Sequence, residues 1–227
     1  MITVSGIGWL TNEGYGGVRS RQRIRYENGE GVNSLPKRGI FSHSFKNFGR
    51  LDAISRMTAY AVALAVQDAG IKYVPGLKQD IGIIGTNTEG SLQADLAYFR
   101  DYVGSGRTLS RGNLFIYTLP SSPVGEAAIH FGFLGPLLYA RGLDNSLVTV
   151  LDIAEEMITA KETSIMLAGK AEETEAVFFV LGCRPGQGEA GSVDLEDLRK
   201  IVKTTPGVAS MIRELSLLTA RKASCED

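Results

Sequence analysis

Short apolar runs alternate along the chain with longer stretches whose apolar residues recur at helical spacing, and the alternation predicts the order of elements. Ile2 to Leu10 reads as an opening strand. Thr11 to Arg50 is rich in glycine and polar residues without periodicity, and reads as a long loop of the kind that carries a function or meets a partner. Leu51 to Gly70 is dense in helix formers, ends on a glycine suited to stop a helix, and carries many alanines that imply close packing. Asp80-Ile-Gly-Ile-Ile-Gly-Thr86 has the continuous apolar character of a strand buried on both faces, and Ser91 to Val103 reads as another helix. Pro120-Ser-Ser-Pro123 opens a helix through Phe131, closed by Gly132. Leu137 to Leu143 reads as a strand. Leu147, Val150, Leu151, Ala154 and Ile158 then form the stripe of a helix with one buried face, with Asp144 at its N-cap. Ser164 to Gly169 and Ala176 to Leu181 are two further strands.

Beyond Gly182 the composition changes. Residues 183–191 read as a flexible connector, and 192–227 as a helical extension whose first helix Ser192 caps and whose second starts at Thr205-Pro206. The apolar faces of these two helices need a surface to cover, either on residues 1–182, which form the main domain, or on another chain. The element order predicts an α/β fold: a mixed, mostly parallel sheet covered by helices.

Composition narrows the classes. With 227 residues, 44% hydrophobic and 22% charged, the chain is long enough for a sizeable core and is neither disordered nor collagen-like. A formal net charge of −1 argues against nucleic acid as a partner. No apolar run spans a bilayer and the start lacks the pattern of a secretory signal, so a cytoplasmic protein is expected. Cys183 and Cys225 are too isolated for a disulfide framework or metal cluster, and no cofactor or metal is expected. The only histidines are His43 and His130.

Four segments, Leu51 to Gly70, Asp80 to Thr86, Phe131-Gly-Phe-Leu-Gly-Pro136 and Ile165-Met-Leu-Ala-Gly-Lys-Ala-Glu172, together resemble the N-terminal half of β-ketoacyl-acyl carrier protein synthases. The resemblance runs in continuous order over residues 1–181 and implies a thiolase-like half-fold. The family's nucleophilic cysteine lies eight residues after the proline of the Gly-Pro pair, and here that position is Asp144. An aspartate there is an ionised helix cap and cannot replace the thiolate in condensation. The two histidines contributed by the family's C-terminal half have no counterparts: His43 falls in the long loop and His130 in a helix, outside any similar motif. Cys183, between a strand and Arg-Pro-Gly, lacks a helix N-terminus or histidine to activate it. The segment that separates the Ala-Glu motif from the closing strand in the family is missing here, since Ala176 follows Glu172 by four positions.

The resemblance thus implies a ketosynthase-like protein that is not an active condensing enzyme by itself. Its role would be that of an accessory or acyl-carrier-protein-binding subunit in a fatty-acid or polyketide-type pathway, as in chain-length factors. Thr86 and Asn87, on the turn after a central strand, and Phe115 and Tyr117, before the Pro120 turn, are the residues expected to line an acyl site, with core packing as the alternative for the last two. Between Arg19 and Arg56 nine basic residues face three acidic ones. Arg19, Arg21, Arg23, Arg25, Lys37, Arg38, Lys46 and Arg50 are the candidate docking residues for an acidic carrier protein, or else a solvated loop. An uncovered half-fold implies a homodimer or a heterodimer with a complete ketosynthase. The competing functions are a thioester hydrolase or acyltransferase using Asp144 as general base, and a structural homodimer module.

Overall fold

The computed structural model describes residues 2–26, 35–108, 111–142, 145–183 and 193–224. Its framework is one mixed sheet of β1 (Ile2–Leu10), β2 (Gly14–Gly17), β3 (Arg23–Arg25), β4 (Ile81–Thr86), β5 (Leu137–Tyr139), β6 (Ile165–Ala171), β7 (Ala176–Cys183) and β8 (Val193–Asp194). The strand order is β3-β2-β1-β7-β6-β4-β5, with β8 pairing beside β2 on β1. Among the described residues the α-helices are α1 (Ala53–Asp68), α2 (Leu92–Gly104), α3 (Gly112–Ile116), α4 (Ser122–Phe131), α5 (Ser146–Thr159), α6 (Leu195–Thr204) and α7 (Val208–Ser224).

The sheet is mixed and helix-covered as the element order predicts, with its parallel part confined to β6-β4-β5 and its other pairings antiparallel. The reason lies in the connections. The four residues between Ala171 and Ala176 close a tight turn, too short for the crossover that a parallel pair requires.

Two cores lie on opposite faces. On one, α1 and α4 pack against Leu10, Ile83, Leu167, Phe178 and Val180. On the other, α5, α6 and α7 pack against Trp9, Ile84, Met166, Ala168 and Phe179. Helix α1 is apolar nearly all round because it is covered on several sides, as an interior helix must be. A Cβ on Gly8 would stand 2.1 Å from the Ala65 nitrogen, so β1 and α1 meet backbone to backbone, and the alanines of α1 permit that approach. Asp52 caps α1 by accepting from the Ser55 N–H at 2.8 Å.

Residues 11–50 are not one loop. They include the β2–β3 hairpin, and residues 35–51 lie over α1 through Phe41, Phe45, Phe48 and Leu51. The hairpin was hidden because its inner strand is mostly glycine: a Cβ on Gly16 would stand 1.8 Å from the Gln22 carbonyl oxygen. The Asp68 carboxylate ties the hairpin to α1, accepting from the N–H groups of Ile7, Arg19 and Ser20.

The faces of α6 and α7 are buried on the chain's own sheet and on α5, through Leu195, Leu198, Val202, Val208, Met211, Ile212 and Leu215. The expected connector lies outside the described residues from position 184 onward, as do Ser192 and Cys225. The position before α6 is Asp194, which belongs to β8.

Candidate functional site

The C-terminal ends of β4 and β6 and the N-terminus of α5 meet at one corner of the sheet. Thr86 and Lys170 are register partners on the α5 side, and the Thr86 hydroxyl is buried without a hydrogen-bond partner. Asn87 is buried just after β4, where its side chain closes the turn to Gly90 and accepts from the Tyr139 hydroxyl at 2.9 Å. Burial pushes the Tyr139 phenol above its ordinary range. Glu172 accepts from the Thr88 N–H at 2.8 Å and hydroxyl at 2.6 Å, and holds Lys170 at 3.1 Å. A cavity of about 290 Å³ opens there, walled by Asn87, Arg141, Gly142, Asn145, Ser146 and Lys170.

The N-cap of α5 is Asn145, one residue later than the sequence suggests. Its Oδ1 accepts from the N–H groups of Leu147 at 3.1 Å and Val148 at 3.3 Å. A neutral amide therefore satisfies the first amides of the helix, and the capping assigned to Asp144 passes to its neighbour. Asp144 itself lies outside the described residues. No thiol or imidazole lines this cavity among the described residues, and Ser146 spends its hydroxyl on the Gly142 backbone.

Among the described cavities, none takes in all four residues expected to line an acyl site. Phe115 is 56% exposed and its ring leans on Tyr98, whereas Tyr117 is buried. Tyr117 lines a second cavity of about 170 Å³ together with Asp52, Glu89, Gly90, Leu119 and Glu173. The Asn87–Gly90 turn stands between the two cavities, Asn87 facing one and Gly90 the other.

The basic residues also divide. Arg21, Arg23 and Arg25 are exposed around β3, and the Arg23 guanidinium lies 5.9 Å from the Trp9 ring on the α5–α7 face. Lys37, Arg38, Lys46 and Arg50 are exposed on the segment over α1, with the Lys37 ammonium 4.6 Å from Phe48. Arg19 is half-buried and donates to the Ser5 carbonyl.

His43 and His130, remote in sequence, touch. Their rings lie 4.4 Å apart on the α1–α4 face, and His130 also stacks on Phe45 at 4.0 Å. Burial, aided by His43, pushes the His130 imidazole down to about 4, and its Nε2 is buried without a partner. Nothing in sequence spacing announces this pair, because it depends on how the 35–51 segment folds over α4. Cys183 is exposed at the end of β7 beside the start of β6, at the opposite end of the sheet from the head of α5. Arg141, Asn145 and Lys170 are the residues of the corner that sequence reasoning did not single out; the phase of β6 against β4 would have placed Lys170 beside Thr86. Among the described residues no three His, Cys, Asp or Glu side chains cluster as for a metal, and no helix is long and apolar enough to cross a membrane.

No protein-family model and no curated protein matches the sequence. Solved structures do match. The ishigamide ketosynthase/chain length factor superposes with a TM-score of 0.59 at 16% identity, covering 80% of this chain and 62% of that one. A β-ketoacyl synthase from Burkholderia phymatum STM815 gives 0.60 at 15% identity over 81% of this chain and 59% of that one. The AntDE:AntF complex, a type II PKS acyl-carrier protein with its ketosynthase bound to the hexaketide, gives 0.59 at 16% identity over 81% and 62%. The fold is a ketosynthase fold. The chain spans about three fifths of the length of these ketosynthase structures.

Proposed function

We propose that the chain is a ketosynthase-like subunit that does not condense acyl groups, and that it holds an acyl carrier protein for a fatty-acid or polyketide-type pathway. The observation that carries this reading is the pairing of a ketosynthase fold around α5 with an aspartate, not a cysteine, at residue 144. A carboxylate is a poor acyl acceptor, since its acyl product is an anhydride. The acyl group would lie beside Thr86 and Asn87, near the cationic groups of Arg141 and Lys170, with Phe115 and Tyr117 across the Gly90 turn. Exposed Arg21, Arg23 and Arg25, with Lys37, Arg38, Lys46 and Arg50, would meet the acidic carrier through a salt-sensitive attraction. The apolar surface of α2, α3 and β5 would be covered by a second copy or by a complete ketosynthase.

The test is binding of an acyl carrier protein to the full chain, followed by fluorescence anisotropy at low and high salt. Association at low salt that weakens with added salt, and is lost in the Arg21→Glu/Arg23→Glu/Arg25→Glu variant, is the expected result. No association at any salt overturns the reading. A second reading, a thioester hydrolase with Asp144 as general base, is favoured by the cap at Asn145, which relieves residue 144 of that task. It requires thiol release from an acyl thioester that Asp144→Ala abolishes.

A further inference from the structure

We propose that the cavity beside Tyr117 binds a primary ammonium group on a short apolar stem. This inference is independent of the carrier reading and survives its failure. The cavity lies between the N-terminus of α1, the turn before α2 and the chain linking α3 to α4, and it has room for about five water-sized groups.

Its charge is one-sided. Asp52, Glu89 and Glu173 line it, and Glu126 stands close enough to Asp52 for the two carboxylates to repel. Among the described residues none of these four makes an ion pair. Arg56 reaches the Asp52 backbone carbonyl rather than its carboxylate, which accepts from the Ser55 N–H, and the Glu89 carboxylate accepts from the neutral Gln93 amide. The Arg50 cation opposes the effect of Glu126 and Asp52 on the Tyr117 phenol, but more weakly than either. Burial raises Glu126 above the usual carboxylate range, and Asp52 adds to the shift.

A second, independent observation points to a ligand. Tyr117 is only 9% exposed, lines the cavity, and its hydroxyl makes no hydrogen bond among the described residues. The mostly buried ring thus presents a hydroxyl with no protein partner, and an ammonium supplies three donors to engage the phenol oxygen and two carboxylates together. Ile54, Ala94 and Leu119 offer the wall for the stem. A carboxylate would be repelled here, and a neutral alcohol would gain no charge attraction from the acidic groups.

The experiment is an NMR titration of the full chain with n-butylammonium, 1-butanol, butyrate and N-acetyl-lysine methylamide. Saturable binding of n-butylammonium, about tenfold tighter than 1-butanol or butyrate and weakened about tenfold by Tyr117→Phe, is expected. Glu126→Gln, which removes a repelling charge and should fold at least as well, is expected to weaken binding too and serves if Tyr117→Phe does not fold. Tighter binding of the lysine derivative than of n-butylammonium supports the proposal with a partner's lysine as occupant, and the reverse order supports it with a free amine. Equal binding of 1-butanol or butyrate, or no saturable binding of n-butylammonium, overturns it.

Discussion

The α5–α7 flank and the α2–α3 flank begin from similar material, amphipathic helices with one apolar stripe, and end in opposite states. On the first flank Leu195, Leu198 and Val202 of α6 are buried, and β8, just before α6, pairs with β1 and ties the α6–α7 pair to the sheet. The Arg199 guanidinium joins α6 to α5, reaching Asp152 and Glu196 at 2.8 Å each and Glu155 as well, while Lys222 fastens α7 to Asp194 and Asp197. On the second flank α2 has no buried residue at all. Leu92, Leu96, Phe99 and Val103 repeat at offsets of four, seven and eleven, a stripe as regular as that of α6, yet Phe99 is 61% exposed. Periodicity therefore tells which face of a helix is apolar. It does not tell whether the surface that covers it lies in the same chain.

The sharpest way to break this comparison is to empty one position on each flank. Leu198→Ala removes a fully buried side chain and is expected to lower the unfolding free energy by about 2–5 kcal/mol in urea denaturation. A loss below about 1 kcal/mol would mean that the α6–α7 pair is not an integral part of the core. Acid gives a second, smaller test, because both histidines lie on the α1–α4 flank and none on the α5–α7 flank. The His130 imidazole sits below its ordinary 6.5, at about 4, so the unfolded chain takes up the proton first. Stability is then undiminished above about pH 6.5 and falls as pH drops toward 4, and His130→Gln should flatten that slope. Hydrogen exchange, expressed as protection factors that remove the intrinsic pH dependence, should show lower protection in residues 35–51 at pH 5 than at pH 7.5, with α6 unchanged. Phe99→Ser has the smallest expected effect on folding, within about 0.5 kcal/mol, because the ring touches little of the chain. Its consequence should be read in sedimentation velocity, as weaker association; a destabilisation of 2 kcal/mol or more would show that α2 is covered from within.

Much of the fold could be read from the residues alone. The runs of β1, β4, β6 and β7 and the stripes of α5, α6 and α7 are buried where their periods place them, because each period is imposed by a single dominant neighbour, the sheet. The β2–β3 hairpin escaped because Gly14, Gly16 and Gly17 carry no side chain from which to read a pattern, although the close backbone approach is what requires them. The cap of α5 was misplaced by one residue because Asp144, Asn145 and Ser146 are all good caps, and only geometry decides among them. At the candidate site, Thr86 and Asn87 followed from their place after β4. The division of the corner into two cavities did not, since it rests on one turn closed by the Asn87 side chain. The contact of His43 with His130 is of the same kind, a long-range meeting with no local signature.

The two ends of the sheet differ in a way that bears on assembly. At one end β3 displays Arg23 and Arg25, charges that discourage another strand from adding to it. At the other end β5 presents Leu137, Leu138 and Tyr139, with no charge to deter an incoming strand. A ribbon with one guarded and one bare margin can be extended once and no further. Two molecules that join margin to margin bury both bare ends, and growth into fibres stops there.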